Sequence, residues 1–208
     1  MKFVKILLAV SFFLLTATSQ AEYIAGTDYK IIDPAQPTGS GNKVEVLEFF
    51  FYGCSHCYHL HPNLSAWEKK KPKDVELVLV PTMLNPQWEP MAYTYYALEA
   101  IGQQHNLHEA LYESWNVKNT ALVSESDITD FVASQGVDSK KFGDAYRSFG
   151  VQSKVTRSKQ LSQTYRIRGT PTMIVDGKYL ITGLQPQAAI LVLNELVEKA
   201  RKERASKK

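Results

Sequence analysis

The spacing of apolar positions changes several times along the chain, and each change marks an element. Val44-Glu45-Val46-Leu47-Glu48-Phe49-Phe50-Phe51 is almost continuously apolar, the pattern of a strand covered on both faces in the middle of a sheet. The period then lengthens: Leu60, Leu64 and Trp67 recur at helical spacing, and Pro62 among them predicts a kink where one backbone bond is lost. Asp74 and Val75 lead into a second apolar strand, Leu77 to Val80, stopped by Pro81. From about Pro86 to Thr164 the strand signal vanishes. Met91, Tyr95, Leu98 and Ile101 share one helical face, and Leu107, Leu111 and Trp115 share another. Ser124 and Asp127 suit the start of a helix over Ile128 to Gln135, and Asp138 the start of one over Phe142 to Phe149. Gly102, Gly136 and Gly150 fit helix ends.

Strands return at Thr172 to Val175 and Tyr179 to Thr182, joined through Asp176-Gly177 as a two-residue hairpin turn. A last amphipathic helix runs from Gln187 to about Arg201, with Ala189, Leu193, Leu196 and Ala200 on one face. Upstream, Glu22 to Asn42 is loop-like apart from a short strand around Tyr29 to Ile32. The order is strand, helix, strand, helical block, strand, hairpin strand, helix.

The amino terminus sets the expected compartment. Lys2 and Lys5 precede an apolar run from Ile6 to Leu15, too short to span a bilayer, and Ser19-Gln20-Ala21 supplies small residues for a cleavage site. Residues 1–21 are therefore expected to be a cleaved signal peptide, leaving an exported, soluble chain. The net charge of +3 is gathered partly at the carboxyl end, at Lys199, Arg201, Lys202, Arg204, Lys207 and Lys208. Cations there favour a helix terminus for dipole reasons alone, so no nucleic-acid partner is expected.

Only two cysteines occur, as Cys54-Ser55-His56-Cys57, at the junction of the first buried strand and the following helix. A disulfide closed over two intervening residues constrains the unfolded chain little, and a chain of this length buries an adequate core without staples. The pair is thus suited to cycling between dithiol and disulfide. Cys54, at the helix amino terminus, sits where backbone N–H groups and the dipole favour a thiolate; Cys57, one turn inside, is the resolving sulfur. His56 between them favours the same thiolate through a donor or a charge. A metal site is the competing reading: Cys54, Cys57 and His61 can share a helix face with His59 nearby, although zinc prefers four protein ligands in a structural site and His105 and His108 lie in the helical block. Glu48, in an apolar strand, is either a proton-relay group beneath the cysteines or an outward, solvated residue.

Three features coincide with a known family. Pro62 lies eight positions after Cys54, Gly169-Thr170-Pro171-Thr172 precedes the last strand pair, and the stretch Glu48-Phe49-Phe50-Phe51-Tyr52-Gly53-Cys54-Ser55-His56-Cys57-Tyr58 resembles the active-site segment of the DsbA family. Leu79-Val80-Pro81 and Trp88-Glu89-Pro90 are similar to that family as well. The resemblance covers essentially all of the chain after the signal. It implies an α/β thioredoxin fold with an inserted all-helical domain: residues 22–84 and 165–208 as the thioredoxin-like part, 85–164 as the insertion. It implies a periplasmic thiol:disulfide oxidoreductase that donates the Cys54–Cys57 disulfide to reduced, unfolded exported proteins, acts as a monomer, needs no cofactor or metal beyond the cysteine pair, and is reoxidised by a quinone-linked membrane partner of the DsbB type. Thr170 and a cis Pro171 are implied to face the cysteines and, with Ser55 and Glu48, to support the site. Two departures stand out. Ser55 replaces the proline most common between the first cysteine and the histidine, adding a hydroxyl that can donate toward sulfur, and strand Leu77 to Val80 has no lysine to partner Glu48. Rival readings are a reductase or isomerase of the same fold, or a binding module that takes a metal or peptide without turnover.

Overall fold

The computed structural model describes residues 23–206; the expected signal peptide, residues 1–21, lies outside them. The elements are β1 (Lys30–Ile31), β2 (Val44–Phe50), α1 (Ser55–Glu68), β3 (Val75–Pro81), a 3-10 turn (Pro86–Trp88), α2 (Glu89–Ala100), α3 (Gln104–Asn116), α4 (Glu125–Ser134), α5 (Ser139–Tyr146), α6 (Phe149–Thr164), β4 (Thr172–Val175), β5 (Tyr179–Thr182) and α7 (Pro186–Ala205).

The strands form one sheet in the order β1-β5-β4-β2-β3. β2 pairs with β3 in parallel and with β4 antiparallel, so it is a central strand, and every one of its residues is buried. That burial is what its near-continuous apolar run anticipates. Five helices, α2 to α6, are inserted in the chain between β3 and β4, and the fold is that of thioredoxin carrying a helical insertion. The core has three parts. One joins β2, α1 and α7 through Val46, Leu60, Leu64, Leu193 and Leu196. A second covers the opposite sheet face with Leu47, Phe49, Tyr165 and Ile174. The third runs from Phe50, Tyr52 and Cys57 into Leu98, Leu111, Ile128 and Phe142 of the inserted helices. The carboxyl end of β2 therefore belongs to the sheet and to the helical cover at once.

Four sequence expectations need correction. The helix capped by Asp138 ends at Tyr146, not at Phe149; Ser148 accepts from the Val151 N–H and starts α6 anew. Gly150 consequently lies inside α6, whereas Gly102 and Gly136 take the positive φ of helix ends (70° and 83°). The hairpin loop opposes Val175 to Tyr179 and so holds three residues rather than two, with Asp176 and Gly177 both at positive φ. The last helix continues past Arg201 to Ala205. Among the described residues no helix is long and apolar enough to cross a membrane.

Candidate active site

The end of β2 delivers the chain to α1 through a tightly packed corner. Phe51 stacks on Trp88 with ring centroids 4.1 Å apart, and Trp115 packs edge-on to it. Gly53 fits between these rings: a Cβ there would lie 2.7 Å from Trp115 Cε3, closer than packed atoms approach. Asn116 donates from its side-chain amide to the Tyr52 carbonyl (2.8 Å) and tethers α3 to the same corner. These contacts fix where α1 begins.

Cys54 is the N-cap of α1, with φ −89° and ψ 113°, and its sulfur accepts from the Cys57 N–H at 3.4 Å. Helix N-termini leave their first N–H groups without intrahelical partners, and here a sulfur takes the place usually held by a serine or aspartate oxygen. Cys54 is partly exposed and Cys57 fully buried, and the two are free thiols. The Cys54 thiol is lowered from 9.0 to about 5. The largest cause is a hydrogen bond from the Cys57 thiol; partial burial opposes it, and the Thr170 side chain and the backbone N–H groups of Cys57 and His56 add to it. The Thr170 carbonyl, 3.3 Å from Sγ, can accept only from the thiol and so works against ionisation. Donors outnumber it. Cys57 is pushed far above the ordinary thiol range by burial first and by its bond to Cys54 second, which keeps its proton available for donation to the Cys54 thiolate.

Thr170 meets Cys54 across 116 positions of sequence, and the peptide bond from Thr170 to Pro171 is cis. A shallow groove beside them is lined by His56, Pro171, Met173, Leu184 and Pro186. His56 and Ser55 are exposed. The favourable contact of His56 with the sulfur comes from its backbone N–H. The expected Ser55 hydroxyl bond to sulfur is absent: among the described residues the Ser55 side chain donates no hydrogen bond to Cys54.

Glu48 is buried, not outward-facing. It lies between Met173 of β4 and Leu79 of β3 in register, is 3% exposed, and its Oε1 has no hydrogen-bond partner. Burial above all, then the charge of Cys54 and that of Glu68, raise its carboxyl from 4.5 to about 8. A carboxyl so raised is mostly protonated at neutral pH. Among the described residues no group of three or more His, Cys, Asp or Glu side chains is arranged to hold a metal ion; His61 and Cys57 lie on the inward side of α1, and His59 is exposed.

The sequence places His108 in the helical block but not against the cysteine corner. His108 of α3 is buried against the active-site end of β2, with Nδ1 2.7 Å from the Tyr52 hydroxyl and 3.2 Å from Gln104 Nε2. Both neighbours can donate, so Nδ1 accepts and the ring proton sits on Nε2. Burial, then the neighbouring His61 and His105, lower its pKa to about 3. The signal was present in the spacing: His108 follows Leu107 and precedes Leu111 on the apolar face of α3.

Comparison with known proteins agrees with this geometry. The DSBA-like thioredoxin domain family matches residues 45–192. The thiol:disulfide interchange protein DsbA of Pseudomonas syringae pv. tomato is 35% identical over 198 residues, covering 94% of this chain and 92% of that protein. The protein of the same name from Burkholderia cepacia is 38% identical over 166 residues, 79% of this chain and 78% of that protein. The crystal structure of Pseudomonas aeruginosa DsbA superposes with a TM-score of 0.84 at 33% identity, covering 89% of this chain and 97% of that one. A helix-capping sulfur of low pKa backed by a shielded partner is the arrangement thiol–disulfide exchange needs, and the chain belongs to the DsbA family of thiol:disulfide oxidoreductases.

Proposed function

We propose that this oxidoreductase works as an oxidant, passing the Cys54–Cys57 disulfide to reduced, unfolded exported proteins in the periplasm. The observation that carries this direction is the Cys54 thiol lowered to about 5 beside a buried Cys57. Stabilising the thiolate stabilises the reduced form, and a stabilised reduced form makes the disulfide a strong acceptor of electrons. A client thiolate attacks Cys54 Sγ, the Cys54–Cys57 bond breaks, and Cys57 leaves as a thiolate that takes a proton. A second client thiolate then attacks the client sulfur of the mixed disulfide and releases Cys54 as a stable thiolate. The client is oxidised by two electrons and the cysteine pair is reduced.

Each remaining residue has a role in this reading. Cys54 is the attacked and leaving sulfur and Cys57 the resolving one. The backbone of His56 and the side chain of Thr170 stabilise the Cys54 thiolate. Pro171 borders the groove that receives client chain. Ser55 tunes the ring through its backbone, and Glu48 exchanges a proton with Cys57. Residues 22–84 with 165–208 form the redox unit and 85–164 its helical cover. The pair needs no metal or cofactor, and the protein works as a monomer. Reoxidation falls to a quinone-linked membrane partner of the DsbB type, whose disulfide the Cys54 thiolate attacks. Export through a signal peptide at residues 1–21 supports the periplasmic assignment. Equilibrating the protein with glutathione buffers of graded ratio tests the direction: an oxidant stays reduced in all but the most oxidising mixtures, whereas a reductase is oxidised readily.

A further inference from the structure

A cavity of about 640 Å³ opens beside α1, lined by residues that do not include Cys54. Glu48 forms part of its buried end, and the exposed Glu68, Glu99, His105, Glu109 and Lys154 stand at its rim. Glu48 has an unpartnered oxygen there, and the space exceeds by far what a file of waters requires. Between the buried end and the rim stands His61, half-buried on α1. Its ring lies 4.8 Å from that of His108 and 5.3 Å from that of Tyr112, centroid to centroid.

We propose that His61 is the proton-transfer group between Glu48 and solvent, so that the proton of Cys57 leaves through this cavity and not past Cys54. The proposal rests on the reading of Glu48 as the proton partner of Cys57. In a mixed disulfide Cys54 carries no charge, so one cause of the raised Glu48 carboxyl is gone. When Cys57 then resolves that disulfide, its Sγ–H passes its proton to Glu48 in the ionised form. The Cys57–Cys54 bond forms, the bond from Cys54 to the outer sulfur breaks, and that sulfur leaves as a thiolate. Glu48 must then lose its proton before the next cycle. Cys54 offers no exit, because the groove above it is covered by client or partner chain at that moment.

His61 suits the task for three reasons. It bridges buried and exposed sections of one cavity. Burial lowers its pKa, with the exposed Glu109 opposing and His105 reinforcing, so the ring is neutral and able to accept at neutral pH. His108 cannot substitute, since its Nδ1 is occupied by Tyr52 and Gln104. The other charged groups around the cavity are Glu76 of β3, Arg157 of α6 and Lys69 at the carboxyl end of α1, two turns beyond His61; they bias its charge without receiving the proton. The phenol of Tyr95 is raised to a point where it stays protonated.

The test uses the reduced protein and 5,5′-dithiobis(2-nitrobenzoate), a disulfide reagent whose leaving thiolate is coloured. Two equivalents appear: the first reports attack by Cys54, the second the unimolecular attack by Cys57. His61→Gln is expected to leave the first phase unchanged and slow the second about tenfold at neutral pH, less than the ~10²–10⁴ of a fully positioned base because water in an open cavity still carries protons. Adding imidazole should restore the second phase of His61→Ala and leave the parent's unchanged. A second phase in His61→Gln equal to the parent's across pH overturns the proposal. Slowing of both phases together also overturns it, since that marks a structural role. Glu48→Gln separates the two readings: if it too leaves the second phase unchanged, the Glu48 reading itself has failed; if it slows that phase while His61→Gln does not, only the His61 path is wrong.

Discussion

The two sulfurs are three residues apart, yet one faces donors and the other faces an unpaired carboxyl. Around Cys54 the Cys57 thiol, the Thr170 side chain and the N–H groups of the helix N-terminus favour negative charge. Around Cys57 burial dominates, and the bond to Cys54 and the charge of Glu48 also disfavour charge on it. One turn of helix thus separates a site that holds a thiolate from one that holds a proton. Asymmetry of this kind separates a redox pair from a structural staple, whose two sulfurs have no need to differ.

The sharpest way to break the asymmetry is to remove one sulfur at a time. Cys54→Ser should reduce client oxidation to the uncatalysed background. In Cys57→Ser, by contrast, the Cys54 thiolate should attack a disulfide-bonded client or glutathione disulfide, expel one of its sulfurs as a thiolate and remain trapped as a mixed disulfide that no second sulfur resolves. Mass spectrometry of the trapped species distinguishes them. Equal trapping at either position would mean that the two environments are not different in kind.

Next in size is the pH dependence of the dithiol form. The folded Cys54 value of about 5 lies below the ordinary 9.0, so its contribution to stability is complete above pH 9 and is lost as pH falls through 5. The disulfide form has no thiol at this position and lacks that slope. Thiolate absorbance of the reduced protein should therefore rise near pH 5, and the stability gap between dithiol and disulfide forms should widen from pH 5 to 9. Absorbance that rises only near the value of a free thiol would remove the basis of the asymmetry.

Glu48 has the opposite sign. Its folded value of about 8 lies above the ordinary 4.5, so its contribution is present below pH 4.5 and is lost as pH rises through 8. Its register neighbours Leu79 and Met173 are apolar. Glu48→Leu should then raise stability at pH 8 by about 1–3 kcal/mol, the cost of a buried polar group left unsatisfied, and by less at pH 5. Denaturant midpoints at the two pH values check this; a destabilised variant at pH 8 would show that the carboxyl has a partner after all.

The smallest expected effect is at Ser55. With no hydroxyl bond to Cys54, what distinguishes it from proline is the freer φ of the residue that opens α1. Ser55→Pro should make the pair more oxidising by about 1 kcal/mol, or roughly 20 mV for a two-electron couple, read against glutathione. A shift the other way would assign the serine hydroxyl a role in stabilising the thiolate.

The legible parts of the fold were those where local pattern and tertiary position agree. The run from Val44 to Phe51 announced a central strand because a strand buried on both faces has no polar alternation to keep. The Cys54 to Cys57 spacing at its end announced the chemistry because so small a loop has little structural use. Thr170 and Pro171, more than a hundred residues away, were connected to Cys54 only through family resemblance, since local sequence carries no record of a contact across the sheet. The side to which Glu48 points was illegible for a related reason: with both faces of β2 apolar, strand parity does not separate inside from outside. His61 was read only as a candidate metal ligand and His108 only as a residue of the helical block, because their contact arises from the packing of α1 against α3. Ser148, which restarts a helix two residues after the previous one ends, was hidden by the apolar pattern continuing to Phe149.

The most direct test of the central claim compares chemical denaturation of the dithiol and disulfide forms at neutral pH. A staple stabilises the chain it closes, while a pair whose thiolate is held by the fold is more stable open. The dithiol form should unfold at the higher denaturant concentration; a disulfide form that outlasts it would contradict the account.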